Sequence, residues 1–575
     1  MELSAGTVTR VNGPLVEVAG GRGLRVAELV TVGSRRLAGE VLSLAGESAT
    51  VQVYEETSGL RPREAVLATG RPLSAELGPG LLGGVFDGML RRLQDAGPWL
   101  EPGTLTGALD PERRWRFTPS ARAGEEVEAG HVLGTVPETG AITYRVLVPH
   151  ELAGRVETIA DEGEVTVGET IATVAGHEIT LAHTWPVRQP LPAAGRLPSG
   201  RPLITGQRVV DLLFPLCQGS TAGVPGGFGT GKTLLLQQIA KWCDAEVIVY
   251  VGCGERGNEL AELLEDFAEL EDPRSGQRLM ERTVTIVNTS NMPLLAREAS
   301  IYTGVTVAEH YRDMGYDTVV IADSTSRWAE ALRESAARTE ELPAEEGYPP
   351  ELSSTLAAFY ERAGRFQTLS GAQASVTILG AVSPPGGDLA EPVTAHTRRF
   401  VRAVWSLDRQ LAYARHHPAI SWTDSSSRDA EAIAAFEAAE GDEDWAGRRR
   451  EALQLLLDAD RIESVAQLTG VESLPGPERV TLISARLLRE GVLQQSALSL
   501  NDRYCAPAKQ AALLALVLDI QRALLASAGE GTAIERIEAL DLSDVARVRD
   551  ECPADDVDAV ARLGAEIQRR IGQLR

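Results

Sequence analysis

Apolar and polar positions alternate in short runs over residues 1 to about 72, as in GTVTRV, PLVEV and ATVQVY, with NG, GG and SG turn signals between them. A period of two with tight turns predicts half-buried strands closing into a small N-terminal β-barrel. From Pro72 to Leu93 the text PLSAELGPGLLGGVFDGMLRRL predicts a linker and a short helix, so 73–109 reads as linker and start of the core. Residues 110–185 return to β runs with glycine every few positions (GEEVEAGHVLGTV, GEVTVGETIATV), which predicts a β-rich inserted domain. Over 186–435 continuous apolar strands alternate with helical stretches: EVIVYVG (246–252), TVTIVN (283–288), DTVVIAD (317–323) and SVTILGAV (375–382). Unbroken β-branched runs each followed by a helix predict a parallel sheet covered on both faces. From 436 to 575 apolar residues recur at three and four, as in KQAALLALVLDIQRALL, and predict a C-terminal helical bundle. The fold class is therefore multidomain α/β.

The length of 575 residues fits three to five domains, and 43% hydrophobic with 24% charged residues excludes a disordered or fibrous chain. The 81 acidic and 56 basic side chains give a net charge of −25, a field that repels nucleic acid. No apolar run approaches the about 20 residues of a membrane span, and the start of the chain lacks a basic, then apolar, targeting pattern. A soluble chain on the cytosolic side is expected. Five cysteines form neither a CxxC pair nor a zinc-like spacing with the eight histidines. Cations are 53 arginines and only 3 lysines, so each lysine asks why a compact ammonium was kept. The 110–185 segment resembles hammerhead barrels that carry lipoyl or biotinyl groups, yet no lysine precedes Lys232, so it reads as a structural insertion. Lys241 and Lys509 have no motif around them and read as solvated helix residues.

Lys232 lies in Gly226-Gly227-Phe228-Gly229-Thr230-Gly231-Lys232-Thr233, a GxxxxGK[ST] loop that opens the helical run TLLLQQIAKW. Glycines let consecutive N–H groups turn inward on phosphate oxygens, the helix N-terminus adds its positive dipole end, Lys232 reaches the β and γ oxygens, and Thr233 offers a hydroxyl to Mg²⁺. At this composition an accidental match is expected roughly 0.003 times in the chain. Hydrolysis or synthesis also needs a metal-side carboxylate and a group that orients water. Asp323 ends the strand TVVIAD and suits the first role, or caps the following helix. Glu255 follows VIVYVG in GCGERGNE, one βαβ step after Thr233, and suits the second, the bland alternative being a solvated loop glutamate. Arg256 beside it either neutralises phosphate charge or pairs with a carboxylate.

PGGFGTGKT, GCGERGNE and IADSTSRWAEALRE together resemble the catalytic A subunit of archaeal and vacuolar-type rotary ATPases, including the version bacteria use as an ATP synthase. The likeness continues through QVYEETSGL, PLSAELGPGLL, WPVRQP, PLITGQRVVDLLFP, EGYPPELSSTLAAFYERAG, AVSPPGGDLAEPVT and VLQQSALS. It implies a RecA-like P-loop core, ATP or ADP with Mg²⁺, and phosphate binding by Gly226 to Thr233. It also implies a catalytic carboxylate at Glu255, with Arg256 as its phosphate-side neighbour and Asp323 at the metal. By the same resemblance the chain alternates with a non-catalytic B subunit in an A3B3 hexamer, contacts central and peripheral stalks, and serves a membrane ion rotor from the cytoplasmic side. It makes ATP from a proton or Na⁺ gradient or hydrolyses ATP to pump ions. Two positions depart from the pattern: His417 stands where an aromatic residue precedes PAI, and Tyr504-Cys505-Ala506-Pro507 replaces YCP. Both His417 and Tyr504 are candidate adenine contacts, the alternative for His417 being a solvated loop histidine. Three rival classes share parts of this pattern. A protein-export ATPase has the core but lacks the 110–185 insertion. An RNA-translocating hexamer needs a basic, aromatic N-terminal surface, whereas Tyr54 is the only aromatic residue in 1–72. A non-catalytic regulatory subunit would not be expected to keep Lys232, Glu255 and Asp323 together.

Overall fold

The computed structural model describes residues 3–94, 102–103, 107–272, 275–290, 292–339 and 342–574. They form two compact units, Met1–Pro198 with Ala245–Val382 and Ala395–Phe400, and Ser199–Asp244 with Ser383–Thr394 and Val401–Arg575.

The first unit begins with a closed six-stranded barrel over Leu3–Asn12 to Ala65–Pro72, with strands in the order first, second, fifth, fourth, third, sixth. Its register sets Val16 opposite Val51 and Val51 opposite Val41. Val8, Val18, Val30, Val32 and Val66 fill the same interior at 0 to 1% exposure, so the alternation in the sequence is the alternation of inside and outside. The inserted segment folds as two four-stranded sheets, one from Trp115–Pro119, Val132–Pro137, Thr143–Leu147 and Gly163–Val165, the other from Glu126–Val127, Gly154–Ile159, Ala172–Val174 and His177–Ile179.

All four predicted core strands are present. Gln373–Val382, Thr318–Asp323, Val247–Cys253 and Thr283–Asn288 run parallel in that spatial order. The last three of these are buried at every position, which is why they read as unbroken apolar runs rather than alternating ones. The short helix expected in 72–93 is not there. Ser74–Leu77 pairs antiparallel with His183–Pro186, and Val85–Phe86 adds a parallel edge to Thr283–Asn288. Glycines at 78, 80, 83 and 84 and a proline at 79 deny this stretch a helix, and the strands that receive it lie too far along the chain for local pattern to register. Residues 95–101 and 104–106 of the 73–109 linker reading lie outside the described residues.

In the second unit Thr221–Pro225 pairs parallel with Ala403–Val404, and the C-terminal segment is helical, as predicted. Its central helix Pro507–Gly529 packs against Val557–Gly572, Gly476–Leu488 and Trp445–Thr469. Pro507–Gly529 is the one helix among the described residues long and apolar enough to cross a membrane. Here Leu513, Leu514, Val517, Leu518, Ile520 and Leu524 of that helix are buried in the bundle.

Two lysines read as solvated are not. Lys241 is 6% exposed and Lys509 0%. The Lys509 ammonium donates to the carbonyls of Arg549, Cys552 and Pro553 at 2.9 to 3.0 Å, closing the C-terminal end of helix Ser543–Glu551. Those carbonyls have no helical donors left, and a cation suits the negative end of the dipole. Lys509→Met should therefore lower the stability of this bundle by about 2 to 3 kcal/mol and speed amide exchange over 543–553. An unchanged calorimetric transition together with unchanged exchange would remove this role from Lys509.

Candidate nucleotide site

The glycine-rich loop lies in the second unit. It leaves the fully buried strand Thr221–Pro225, and the Leu407 N–H donates to Pro225 O at 2.8 Å while Gly226 bridges to Leu407. Gly231 then starts helix Lys232–Trp242 from a left-handed conformation, φ 88°, which only glycine adopts without strain. That helix has no side-chain cap, so its first N–H groups are not taken up by a capping side chain. The loop is fixed through its other groups. Thr230 Oγ1 donates to Gly227 O at 2.8 Å, and Lys232 Nζ donates to Gly226 O at 2.6 Å and Gly227 O at 3.0 Å. The guanidinium of the exposed Arg409 lies against Gly227, its Nε 2.9 Å from where a Cβ would stand. Phe228 is 84% exposed, whereas Thr233 is half-buried at the head of the helix.

Beside the loop is a cavity of about 250 Å³ whose walls include Thr230, Gly231, Leu234, His417, Gln495 and Arg503. Of the two residues proposed for the base, His417 lines this cavity and Tyr504 does not. The Tyr504 ring packs on Trp242, centroids 6.3 Å apart, and over Gly206, where a Cβ would clash with it at 2.4 Å. A glycine surface and an indole hold it away from the cavity lining. Sequence reasoning missed what holds His417. The Gln495 N–H donates to His417 O at 2.7 Å, the Gln495 side chain donates to Gly206 O at 2.8 Å, and its Oε1 accepts from the Arg208 N–H at 2.9 Å. Arg208 and Asp502 form a fully buried ion pair at 2.7 Å behind these contacts. The motif fragments PLITGQRVVDLL and VLQQSALS carry Gly206, Arg208 and Gln495, but nothing in their spacing reveals that they meet.

Glu255, Arg256 and Asp323 belong to the first unit. Parallel register sets Gly252 opposite Asp323, so both lie at the carboxyl edge of the sheet, where α/β proteins collect their ligands. Asp323 is 1% exposed and accepts a hydrogen bond from Tyr250 OH at 3.0 Å. The N-cap of the next helix is Ser324, so capping is not the task of Asp323. Glu255 is half-buried, not solvated. Burial first, and then the Asp323 carboxylate, push its pKa up to about 7, against Arg327 and the Ser324 hydroxyl. A carboxyl poised there can accept a proton from water near neutral pH. Gly254 makes the turn at φ 75°, and the Arg327 side chain fills the space a Cβ would need. Arg256 is exposed and is the N-cap residue of helix Gly257–Glu269.

Among the described residues no group of three or more His, Cys, Asp or Glu side chains is arranged to hold a metal ion. The Thr233 hydroxyl in the second unit and the Asp323 carboxylate in the first are each a hard oxygen donor of the kind Mg²⁺ takes.

Four family descriptions match along the chain: the β-barrel domain of the ATP synthase alpha/beta family over 8–70, its barrel-sandwich domain over 106–188, its nucleotide-binding domain over 206–427, and the C-terminal domain of V and A type ATP synthase over 436–533. With the loop just described, they define a P-loop nucleotide-binding subunit of the ATP synthase alpha/beta class. The A subunit of the A-type ATP synthase of Methanopyrus kandleri is 50% identical over 556 residues, covering 95% of this chain and 94% of that protein. The V-type ATP synthase alpha chain of Halothermothrix orenii is 47% identical, covering 99% and 98%. The chain belongs to the catalytic A-subunit family of the A/V-type ATP synthases. It is thus an ATP- or ADP-binding subunit of a multi-subunit, membrane-associated ATP synthase. The assembled ATPase EscN of an enteropathogenic E. coli type III secretion system aligns with a TM-score of 0.65 at 21% identity, covering 89% of this chain and all of that one. That likeness is one of fold.

A loop held through Lys232 makes a sharp demand on that position. Lys232→Arg keeps the charge but puts a broad planar fork where a compact ammonium sits on two loop carbonyls, so turnover in assembled complexes should fall by about a hundredfold or more. Wild-type phosphate release from that variant would refute the assignment.

Proposed function

We propose that the chain is the site-bearing half of a catalytic interface in a rotary motor, with its residues dividing the work as follows. The loop from Gly226 to Thr233 binds the phosphates, Lys232 compensates charge on the β and γ oxygens, and Thr233 with Asp323 holds Mg²⁺, directly or through water. Bound Mg²⁺ supplies charge neutralisation across the phosphates. Glu255 orients the attacking water in hydrolysis, Arg256 offsets phosphate charge beside it, and His417 stacks on the base, with Tyr504 supporting that wall from behind Gly206. The reading is carried by the loop: a left-handed glycine opening an uncapped helix, with a lysine folded over the loop carbonyls.

The same proposal places the chain in alternation with non-catalytic B subunits around a central stalk, braced by a peripheral stalk, on the cytoplasmic face of the membrane, with the ion rotor acting through the stalk. Phosphoryl transfer is mostly electrostatic positioning, so coupling resides in movements of whole domains.

The division of labour predicts that Glu255→Gln leaves Mg-ATP affinity within a few-fold while turnover drops about a hundredfold or more. Equal losses in binding and rate would instead make Glu255 a structural support of its turn. The shared interface is tested by assembly. The loose transition state loads charge on the equatorial oxygens, and nucleotide motors commonly answer with an arginine from a neighbour worth about 10³ to 10⁵ in rate. The purified chain should bind Mg-ATP but release phosphate at a small fraction of the rate reached after B-type and stalk subunits are titrated in. Full turnover by the chain alone would overturn the shared-site reading.

A further inference from the structure

Strand Val247–Cys253 lies between Thr283–Asn288 and Thr318–Asp323 in the parallel sheet and is buried at every position. All but one of its residues are aliphatic, glycine or cysteine, as full burial favours. The exception is Tyr250, 1% exposed, which carries a hydroxyl into this interior. No step assigned to the site residues uses it. A phenol is kept in such a place when its O–H has a partner, and here it donates to Asp323 Oδ2 at 3.0 Å. An ionised carboxylate only accepts, so the proton in this contact belongs to Tyr250.

Register explains how the contact crosses between strands. Gly252 stands opposite Asp323 and has no side chain to reach the carboxylate, whereas Tyr250, two positions earlier on the same face, has a ring long enough to span that step. Helix Gly257–Glu269 covers this face. A Cβ on Gly252 would stand 2.6 Å from Leu260 Cδ2, and the Tyr250 ring meets Phe267 edge to face, centroids 6.4 Å apart at 85°. The same helix starts directly after Glu255, with Arg256 as its N-cap. Through one side chain the carboxylate that ends one strand is therefore anchored to the helix that follows the other two site residues.

The need for an anchor follows from the torsions of aspartate. Its last torsion is broad rather than staggered, so a settled χ1 still leaves the carboxyl plane free to turn. Mg²⁺ is intolerant of that freedom, because it demands near-ideal octahedral geometry and is held by only one or two carboxylates. Removing a group that holds a ligating side chain without being a ligand itself typically costs about 10- to 100-fold in metal affinity or activity. We propose that Tyr250 is a positioning residue for the metal: its hydroxyl fixes the plane of the Asp323 carboxylate, and its ring, seated on Phe267, ties that plane to the helix behind Glu255. The inference rests on the reading of Asp323 as a Mg²⁺-side carboxylate.

The test measures the affinity of the full chain for ADP twice, in EDTA and in saturating Mg²⁺, and takes the ratio as the metal's enhancement of binding. Tyr250→Phe keeps the ring against Phe267 and removes only the hydroxyl. It should leave the EDTA affinity within about twofold of wild type while cutting the enhancement by about tenfold. Should this variant fail to fold, Phe267→Leu carries the test: it withdraws the seat of the ring, keeps the hydroxyl, and should cut the enhancement a few-fold with the EDTA affinity unchanged. Asp323→Asn separates this role from the reading beneath it and should abolish the enhancement. A wild-type chain without enhancement, or an Asp323→Asn chain that keeps it, would overturn the metal reading of Asp323 and the role of Tyr250 with it. Enhancement lost in Asp323→Asn but retained in full by Tyr250→Phe, or by Phe267→Leu standing in for it, would overturn the role of Tyr250 alone. Equal losses of affinity in EDTA and in Mg²⁺ would do the same, making the hydroxyl a support of the fold.

Discussion

A loop that binds phosphate through its backbone N–H groups has to be held in place by everything except those groups. Here the restraint comes through carbonyls and Cα atoms. Leu407 pairs with the strand that leads into the loop, Thr230 and Lys232 take the carbonyls of Gly226 and Gly227, and Arg409 lies flat against Gly227. Of the loop glycines, Gly231 supplies a left-handed backbone conformation that other residues adopt only with strain. From this constraint follows the dependence of the loop on a segment far along the chain, which a motif search does not report.

Hydrophobic period revealed most of the architecture, because each unbroken or alternating run is long enough to show which faces are buried. It failed where structure is decided at a distance. Val85–Phe86 becomes a strand only because Thr283–Asn288 offers it an edge, and the glycines and proline before it erase any local signal of that outcome. In the candidate site the loop and the strand-end position of Asp323 were legible as text, since their geometry is local. That Glu255 is half-buried beside Asp323 was not, and neither was the network from Arg208 through Gln495 to His417, whose members are separated by 78 to 287 residues. Tyr504 illustrates the converse: its sequence neighbourhood resembles a base contact, yet Gly206 and Trp242 give its ring a better surface.

His417 lines the cavity beside the phosphate loop, and the structure shows where its support comes from. Its carbonyl is tied to Gln495, which is tied in turn to Gly206 and to the backbone of Arg208, itself locked by a desolvated ion pair with Asp502. Breaking one partner of such a pair leaves an uncompensated buried charge, so the whole wall tends to persist or fail together.

The near absence of lysine has a consequence for covalent labelling. Lys509 is sealed among three carbonyls and Lys241 lies within its unit, leaving Lys232 as the side-chain amine with appreciable access to solvent. On most proteins an acylating or aldehyde reagent scatters over dozens of ammonium groups. On this chain the reagent is directed, by composition and burial alone, to the N-terminal amine and the phosphate loop, so its uptake becomes a direct gauge of whether that loop is occupied.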